Sequence, residues 1–473
     1  MNTQDPSSSG LENAAPIAWA PWLTARNLTF FVIAWLSLFA VGSLVVSLPF
    51  QSEPAAGVAP NYATVMYLHG LLIGMVGLLA LITLQVMKVS SLHVRAWIVG
   101  GVVAATVLAA IGGIWDTKIP GAEVPMWTQI LGFFALDEIL VVLTWGLFGE
   151  WRKGTAITRT MTYIAAMIAS ITMAIAAVMG HVAGYIMEFG ENAPSLIANF
   201  RSFAGFGSQD DFVGALVGSH SHEMAVSAMA LTAVIAAEYF GYAAVQGTAR
   251  LFSRIGVGMI ALGTAGVSLI YIAGAVSTWA PPTLFQNDVN GIPGDDIVSG
   301  VLVMGGGVIA MLAVSKLGTI LHRPLGLATV WAYVLSFATV AVAGYSIELN
   351  TTRFGAGDPN AAGAAGDAIL TWFHQDVGLF LLPTIVLVML AVQLLIGQKV
   401  AGWIGWMVTA GSTAVFLGGV VWVFFNSNLF GPGYWLSTAG LLAVGIAILG
   451  TLYYGVLHSR ATTAAPRLRQ IPA

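Results

Sequence analysis

The chain has 473 residues, of which 58% are hydrophobic and 8% are charged, and its formal net charge is −4. A composition this apolar excludes an ordinary soluble globular domain, and without a basic surplus we expect no nucleic-acid partner. The absence of cysteine excludes covalently attached c-type haem, iron–sulfur clusters and thiolate copper centres within the chain.

Long apolar runs recur along the whole sequence. Each is long enough to cross a hydrocarbon core of about 30 Å as an α-helix. Twelve such segments are predicted, at 28–50, 62–87, 94–115, 126–149, 158–187, 213–243, 254–280, 296–316, 324–347, 368–397, 402–425 and 434–458. We therefore predict an all-α polytopic protein embedded in the lipid bilayer. Its predicted parts are a disordered tail (1–26), a twelve-helix membrane domain (27–459) and a second tail (460–473).

The distribution of basic residues predicts the orientation. With the N terminus inside, 14 of the 17 Lys and Arg residues lie on the cytoplasmic side and 3 lie outside. Basic residues near the ends of membrane helices are retained in the cytoplasm, so both termini are predicted there. The predicted location is the plasma membrane, which the chain crosses many times.

Histidine is scarce in this chain, and five of its eight histidines fall inside predicted membrane segments. His69 lies near the start of the second segment, His220 and His222 near the start of the sixth, and His374 near the start of the tenth. His181 lies near the end of the fifth. The predicted orientation places all five in the outer third of the membrane. Ligating or ionisable side chains at membrane depth are costly, so these five are candidate metal ligands.

His220 and His222 are two residues apart in one predicted helix. Each residue of an α-helix turns by about 100°, so their side chains point about 200° apart. We therefore predict that the two histidines face different neighbours and serve separate sites.

The histidines also indicate an internal repeat. His69 and His222 are 153 residues apart, and His222 and His374 are 152 residues apart. Each of the three precedes a long apolar run at a similar predicted depth. The spacing predicts three four-helix units of parallel topology, in which the second, sixth and tenth segments occupy equivalent places and surround sites between them.

Three carboxylates in predicted membrane segments are candidate catalytic residues. Asp137 and Glu138 lie near the middle of the fourth segment, and Glu223 directly follows His222. A carboxylate at this depth needs a proton, a partner or a metal. For Asp137 and Glu138, proton relay, a hydrogen-bonded structural role and metal ligation all stay open, whereas Glu223 is placed to orient an imidazole.

Two stretches resemble the catalytic subunit of the haem–copper oxidase superfamily, which includes cytochrome oxidase subunit I and the large subunit of nitric oxide reductase. The stretch 62–83, with His69, resembles the family's second helix, which supplies an axial ligand of the low-spin haem. The stretch 218–222 resembles the family's His-x-His motif, in which each histidine binds one of two haems.

This resemblance implies a haem-binding membrane oxidoreductase of the respiratory chain that moves electrons near the outer face. The cofactor would be one or two non-covalent b-type haems, with His69, His220, His222 and His374 as ligands. The predicted outer loops are acidic, which favours a basic cytochrome c or cupredoxin as electron donor. Additional membrane subunits are also expected.

The chain departs from the family in the position of its motif. In the family the His-x-His motif lies on helix 10, and histidines of helices 6 and 7 hold a copper or non-haem iron. Here the motif lies in the sixth segment, and the seventh contains no histidine. The resemblance therefore supports haem binding better than it supports a copper or non-haem iron site. Without such a site, we predict little oxygen reduction.

Two other interpretations of the same residues stay open. In one, the histidines and the carboxylates of the fourth segment line the path of a proton-coupled transporter or channel. In the other, His181, His220, His222 and carboxylates surround copper or iron in a non-haem enzyme. A Soret absorption band separates the haem hypothesis from both.

Overall fold

A computed structural model describes residues 62–118, 123–154, 157–189, 209–276, 297–315, 320, 323–350, 372–395, 402–425 and 430–464. Within these ranges, the side chains at several positions, mostly near helix ends, also lie outside the description. The first predicted segment (28–50) and the N-terminal tail fall outside the described residues.

Helices make up nearly all of the described ranges, which contain no strand. In chain order they are α1 (Tyr62–Val86), α2 (Leu92–Lys118), α3 (Glu123–Arg152), α4 (Ile157–Phe189), α5 (Gln209–Tyr239), α6 (Gly247–Val276), α7 (π-helical Ile297–Gly305 continuing as Gly306–Ser315), α8 (Pro324–Asn350), α9 (π-helical Trp372–Leu381 continuing as Leu382–Leu395), α10 (Gly402–Phe424) and α11 (Pro432–Ala464). These eleven helices coincide with the second to twelfth predicted segments, and α11 extends into the predicted C-terminal tail.

Eight helices of the described ranges are long and apolar enough to cross a membrane, and shorter apolar helices at Leu72–Val86 and Gly300–Ser315 accompany them. Helix α5 is not among the eight, because His220, His222 and Glu223 lower the hydropathy of its N-terminal half. The chain is therefore an all-helical, multi-pass membrane protein. The count of twelve spans and the threefold repeat stay predictions.

Three helices, α1, α5 and α9, form the interior of the bundle. Every side chain in 73–84, 223–237 and 382–393 is buried, and the three helices contact one another. A helix that is apolar and buried all round lies at the centre of its protein rather than at the surface. The helices that carry His69, the His220–His222 pair and His374 are thus the central ones.

The surrounding helices each bury one face and expose the other. Large apolar side chains point outward from most of them, including Trp145 on α3, Leu262 on α6 and Leu442 on α11, which are 70%, 71% and 52% exposed. In a membrane protein this apolar exterior is the surface that contacts lipid. The bundle therefore has a central trio and a peripheral layer.

A polar network ties α4 to α5 and α1 at the predicted cytoplasmic end. The guanidinium of Arg159 lies 3.1 Å from the Glu238 carboxylate, and the Thr162 hydroxyl donates to the same carboxylate. The Tyr163 hydroxyl donates to the backbone carbonyl of Met87. These contacts fix the axial position of α5, and hence of its histidines, relative to α4.

Candidate functional site

His220 projects from α5 onto α4. Its Nδ1 lies 2.8 Å from the carbonyl oxygen of Ala176 and donates a hydrogen bond to it. The ring lies directly over Gly180, where an added Cβ would be only 2.5 Å from Nδ1. Because Nδ1 carries the proton, Nε2 carries the lone pair of this imidazole. Because glycine has no side chain, Gly180 lets the His220 ring approach the backbone of α4 this closely.

His222 projects from the same helix in a different direction. Its ring stacks on Tyr271 of α6, with centroids 5.2 Å apart and planes inclined by 16°. Its Nδ1 donates to the Gly218 carbonyl at 2.9 Å, which again leaves Nε2 as the lone-pair nitrogen. The side chain is exposed. The two histidines contact α4 and α6 respectively, so the prediction that they face different neighbours is confirmed.

His374 lies in the π-helical first part of α9, near enough to His222 for the two imidazoles to interact electrostatically. Its ring lies near the backbone of Val340 on α8. Its Nδ1 is buried and has no hydrogen-bond partner among the described residues. π-helical turns are rare and frequently occur at functional sites, because they widen the helix locally. The structure thus brings together two histidines that are 152 residues apart in the sequence.

His181 and Asp137 form a separate pair between α4 and α3. The His181 Nδ1 lies 3.0 Å from Asp137 Oδ2 and 2.8 Å from the Ala177 carbonyl oxygen. The carbonyl is the better-aligned acceptor, so the carboxylate is chiefly an electrostatic neighbour. The Phe134 ring stacks on the imidazole at 4.5 Å. His181 Nε2 is buried and, within the described part of the chain, has no hydrogen-bond partner.

The two remaining candidate carboxylates have opposite environments. Glu223 is fully buried between α5 and α6, and its carboxylate faces the Ser268 hydroxyl without the geometry of a full hydrogen bond. Glu138 is exposed on the outer surface of α3. The structure therefore does not join Glu138 to Asp137, although the two are adjacent in the sequence.

One predicted ligand cannot be placed. His69 lies on α1, a central helix, but its side chain lies outside the described residues. In the part of the chain that the structure describes, no three His, Asp or Glu side chains converge closely enough to hold one metal ion. Among the described histidines, His222 and His374 lie near each other, whereas His220 and His181 contact α4 backbone carbonyls.

Sequence patterns did not indicate two residues that shape the site, Gly180 and Tyr271. Gly180 directly precedes His181, and Tyr271 interrupts an apolar run, so each carried a weak signal. The seventh predicted segment lacks a histidine, but as α6 it contributes the aromatic ring against which His222 stacks.

The chemistry of the His222 and His374 side chains is compatible with ligation of a b-type haem. Both can present an imidazole nitrogen with a lone pair, and a backbone hydrogen bond to the second ring nitrogen is typical of histidines that bind metals. The Nδ1 of His374 is buried without a hydrogen-bond partner among the described residues. A bond to a metal would offset the free-energy cost of burying this polar atom. The lack of cysteine restricts such a haem to non-covalent binding.

Comparison of the chain with protein-family models, curated proteins and solved structures found no match in any of the three. The resemblance to the haem–copper oxidase superfamily therefore rests on the residues of this chain alone.

Proposed function

We propose that the protein is a haem-binding integral membrane oxidoreductase in which His222 and His374 hold one b-type haem. The observation that carries the proposal is that these two histidines lie on central helices in contact, near enough for their imidazoles to interact electrostatically. Haem iron bound by two neutral histidines is a one-electron carrier. A second haem on His220, with His69 as the remaining ligand, belongs to the same proposal.

The chain's own residues would hold and orient the cofactor. The Gly218 carbonyl fixes the tautomer of His222, and the Tyr271 ring restricts its rotation. Glu223 follows His222 and is buried with no cation beside it among the described residues. Burying a charged carboxylate is costly, so Glu223 is suited to carry a proton when the charge nearby changes.

Electrons would enter from the predicted outer face. The acidic residues of the predicted outer loops lie outside the described side chains, so the donor is proposed from the sequence alone. A basic cytochrome c or a cupredoxin would be attracted to such a face, and its association rate would fall as salt rises. Copper or non-haem iron is not needed for this electron-transfer role.

The test is the haem content of the purified full-length protein from haem-replete cells. We expect a Soret band and a haem extractable by acid acetone, with loss of one haem per chain in His222→Ala and in His374→Ala. His93→Ala is the matched control, because His93 is an exposed histidine at the start of α2. A colourless wild-type protein, or retention of all haem in both variants, would contradict the proposal.

A second candidate function, a proton-coupled transporter, is favoured by the Asp137–His181 pair and by the buried Glu223. These groups lie at two different helix interfaces and need no cofactor to bind protons. Proton uptake by a colourless protein reconstituted in liposomes, lost in Asp137→Asn, would favour this function over the first.

A further inference from the structure

The outward surface of α3 has a carboxylate at its centre. Five exposed side chains recur at intervals of three and four residues and form one continuous stripe along the helix, which we name the α3 stripe: Leu131, Phe134, Glu138, Val141 and Trp145. Four of the five are large and apolar, as expected of a surface that contacts lipid. Glu138 is the exception.

Glu138 differs from every other described carboxylate. The side chains of Glu150 and Glu238 are 12% and 4% exposed and pair with Lys153 and Arg159, and Asp137 faces His181. Among the described residues, Glu138 is the one exposed Asp or Glu. It also lies midway along α3, about 20 Å from either end at 1.5 Å per residue.

A carboxylate facing lipid at this depth is expensive. Such residues almost always face the interior of a bundle or pair with another polar group. The neighbouring position is already used, because Asp137 points toward α4 and contacts His181. Glu138 lies about 100° further round the helix and is exposed. The partner of Glu138 must therefore come from outside the described bundle.

We propose that the α3 stripe docks a transmembrane helix of a different subunit, one that carries a Lys or Arg at the depth of Glu138. Opposite charge is the complement that a carboxylate requires in a medium of low dielectric constant. Phe134, Val141 and Trp145 flank it with apolar surface. Spacing of three and four residues is also the pattern with which two helices pack along their length.

The chain itself does not supply this cation. Every Lys and Arg lies at the edge of a predicted membrane segment or beyond it. Residues 1–61, which contain the first predicted segment, have Arg26 as their only basic residue, and it precedes that segment. Neither a second copy of the chain nor its own first segment therefore meets the requirement, and the partner is a separate protein.

The test uses the full-length protein in liposomes and a synthetic 23-residue leucine–alanine transmembrane helix with one central lysine. Association is measured by energy transfer between labels on the two. The control peptide has leucine in place of lysine. We expect the lysine peptide to bind wild-type protein about tenfold more tightly than the control peptide, in the range of interhelical polar contacts.

Two variants separate charge from surface. Glu138→Gln should remove the tenfold preference without affecting folding, because the side chain is exposed. In the double variant Glu138→Gln, Leu262→Glu, the carboxylate moves to an exposed position on α6. The preference should not return if the α3 stripe itself contributes.

Three outcomes would overturn the proposal. The first is equal binding of both peptides, or of neither, to wild-type protein. The second is full recovery of the preference in the double variant, which would assign binding to any lipid-facing carboxylate. The third is self-association of the wild-type protein that Glu138→Gln abolishes, which would make a second copy the occupant.

Discussion

The two histidines of the His-x-His motif lie on one helix and have opposite environments. His220 is packed over Gly180 and hydrogen-bonded to α4, so its ring is confined by its neighbours. His222 is exposed, stacked on Tyr271 and electrostatically coupled to His374. A two-residue interval on a central helix thus divides one motif between two helix interfaces. The environment of each histidine then follows from the helix that it meets.

The largest expected difference between alanine variants of the two histidines is in haem occupancy at the His222–His374 site. His222→Ala should lower haem occupancy at the His222–His374 site by at least about tenfold, because loss even of groups that only support a metal ligand has effects of this size. His220→Ala should leave the electron paramagnetic resonance signal of that site unchanged. Identical lesions in the two variants would show that both histidines serve one shared site.

The next largest effect is expected on stability, at the contact between the His220 ring and Gly180 of α4. Gly180→Ala should destabilise the protein by about 1–3 kcal/mol, because the new methyl group overlaps the His220 ring and overpacking has costs of this order. Thermal unfolding of the purified protein in detergent measures the change.

Gly184→Ala is the control for Gly180→Ala. It lies one turn further along α4, where an added Cβ has no neighbour within 4 Å, and its effect should stay below about 0.5 kcal/mol. Equal losses of stability in the two variants would mean that the close approach of His220 is not what Gly180 provides.

A smaller loss of stability is expected when the Asp137–His181 pair between α3 and α4 is disrupted. Asp137→Asn removes the charge that lies 3.0 Å from His181 Nδ1 and should cost about 0.5–1.5 kcal/mol, since the Ala177 carbonyl keeps its hydrogen bond. Glu138→Gln, at the adjacent but exposed position, should leave the unfolding temperature unchanged. A larger loss for Glu138→Gln than for Asp137→Asn would reverse the assignment of these two carboxylates.

The smallest effect on stability is expected next to His222. Glu223→Gln keeps the shape of the side chain and removes a carboxylate that has no cationic partner among the described residues. Burial favours the protonated, uncharged form of the Glu223 side chain, which the neutral amide of Gln resembles, so the free energy of unfolding should shift by less than about 0.5 kcal/mol. A loss above about 2 kcal/mol, the cost of breaking a buried charged contact, would reveal a partner outside the described part of the chain.

The helices were predictable because their signal is local. Each apolar run carries its own length requirement, and the second to twelfth predicted segments coincide with α1 to α11 to within seven residues at each end. The opposed directions of His220 and His222 were equally predictable, since helix geometry alone separates them. The haem, the electron donor and the threefold repeat stay predictions.

Other features needed the assembled bundle. Asp137 and Glu138 are adjacent acidic residues and look equivalent in the sequence, yet one faces His181 and the other faces outward. Which face of α3 meets α4 depends on how the helices pack, and hydropathy does not record it when both faces are apolar. The approach of His374 to His222 had the same origin.

The sequence by itself determined that this is an all-helical membrane protein with histidines on three particular helices, because hydrophobic length and helical periodicity act within each segment. Only the tertiary structure decided that those three helices are the central ones and that Tyr271, Gly180 and Val340 lie against His222, His220 and His374. These contacts join residues that are 34 to 49 positions apart, and in an apolar environment they depend on close fit between helices rather than on any pattern within one helix.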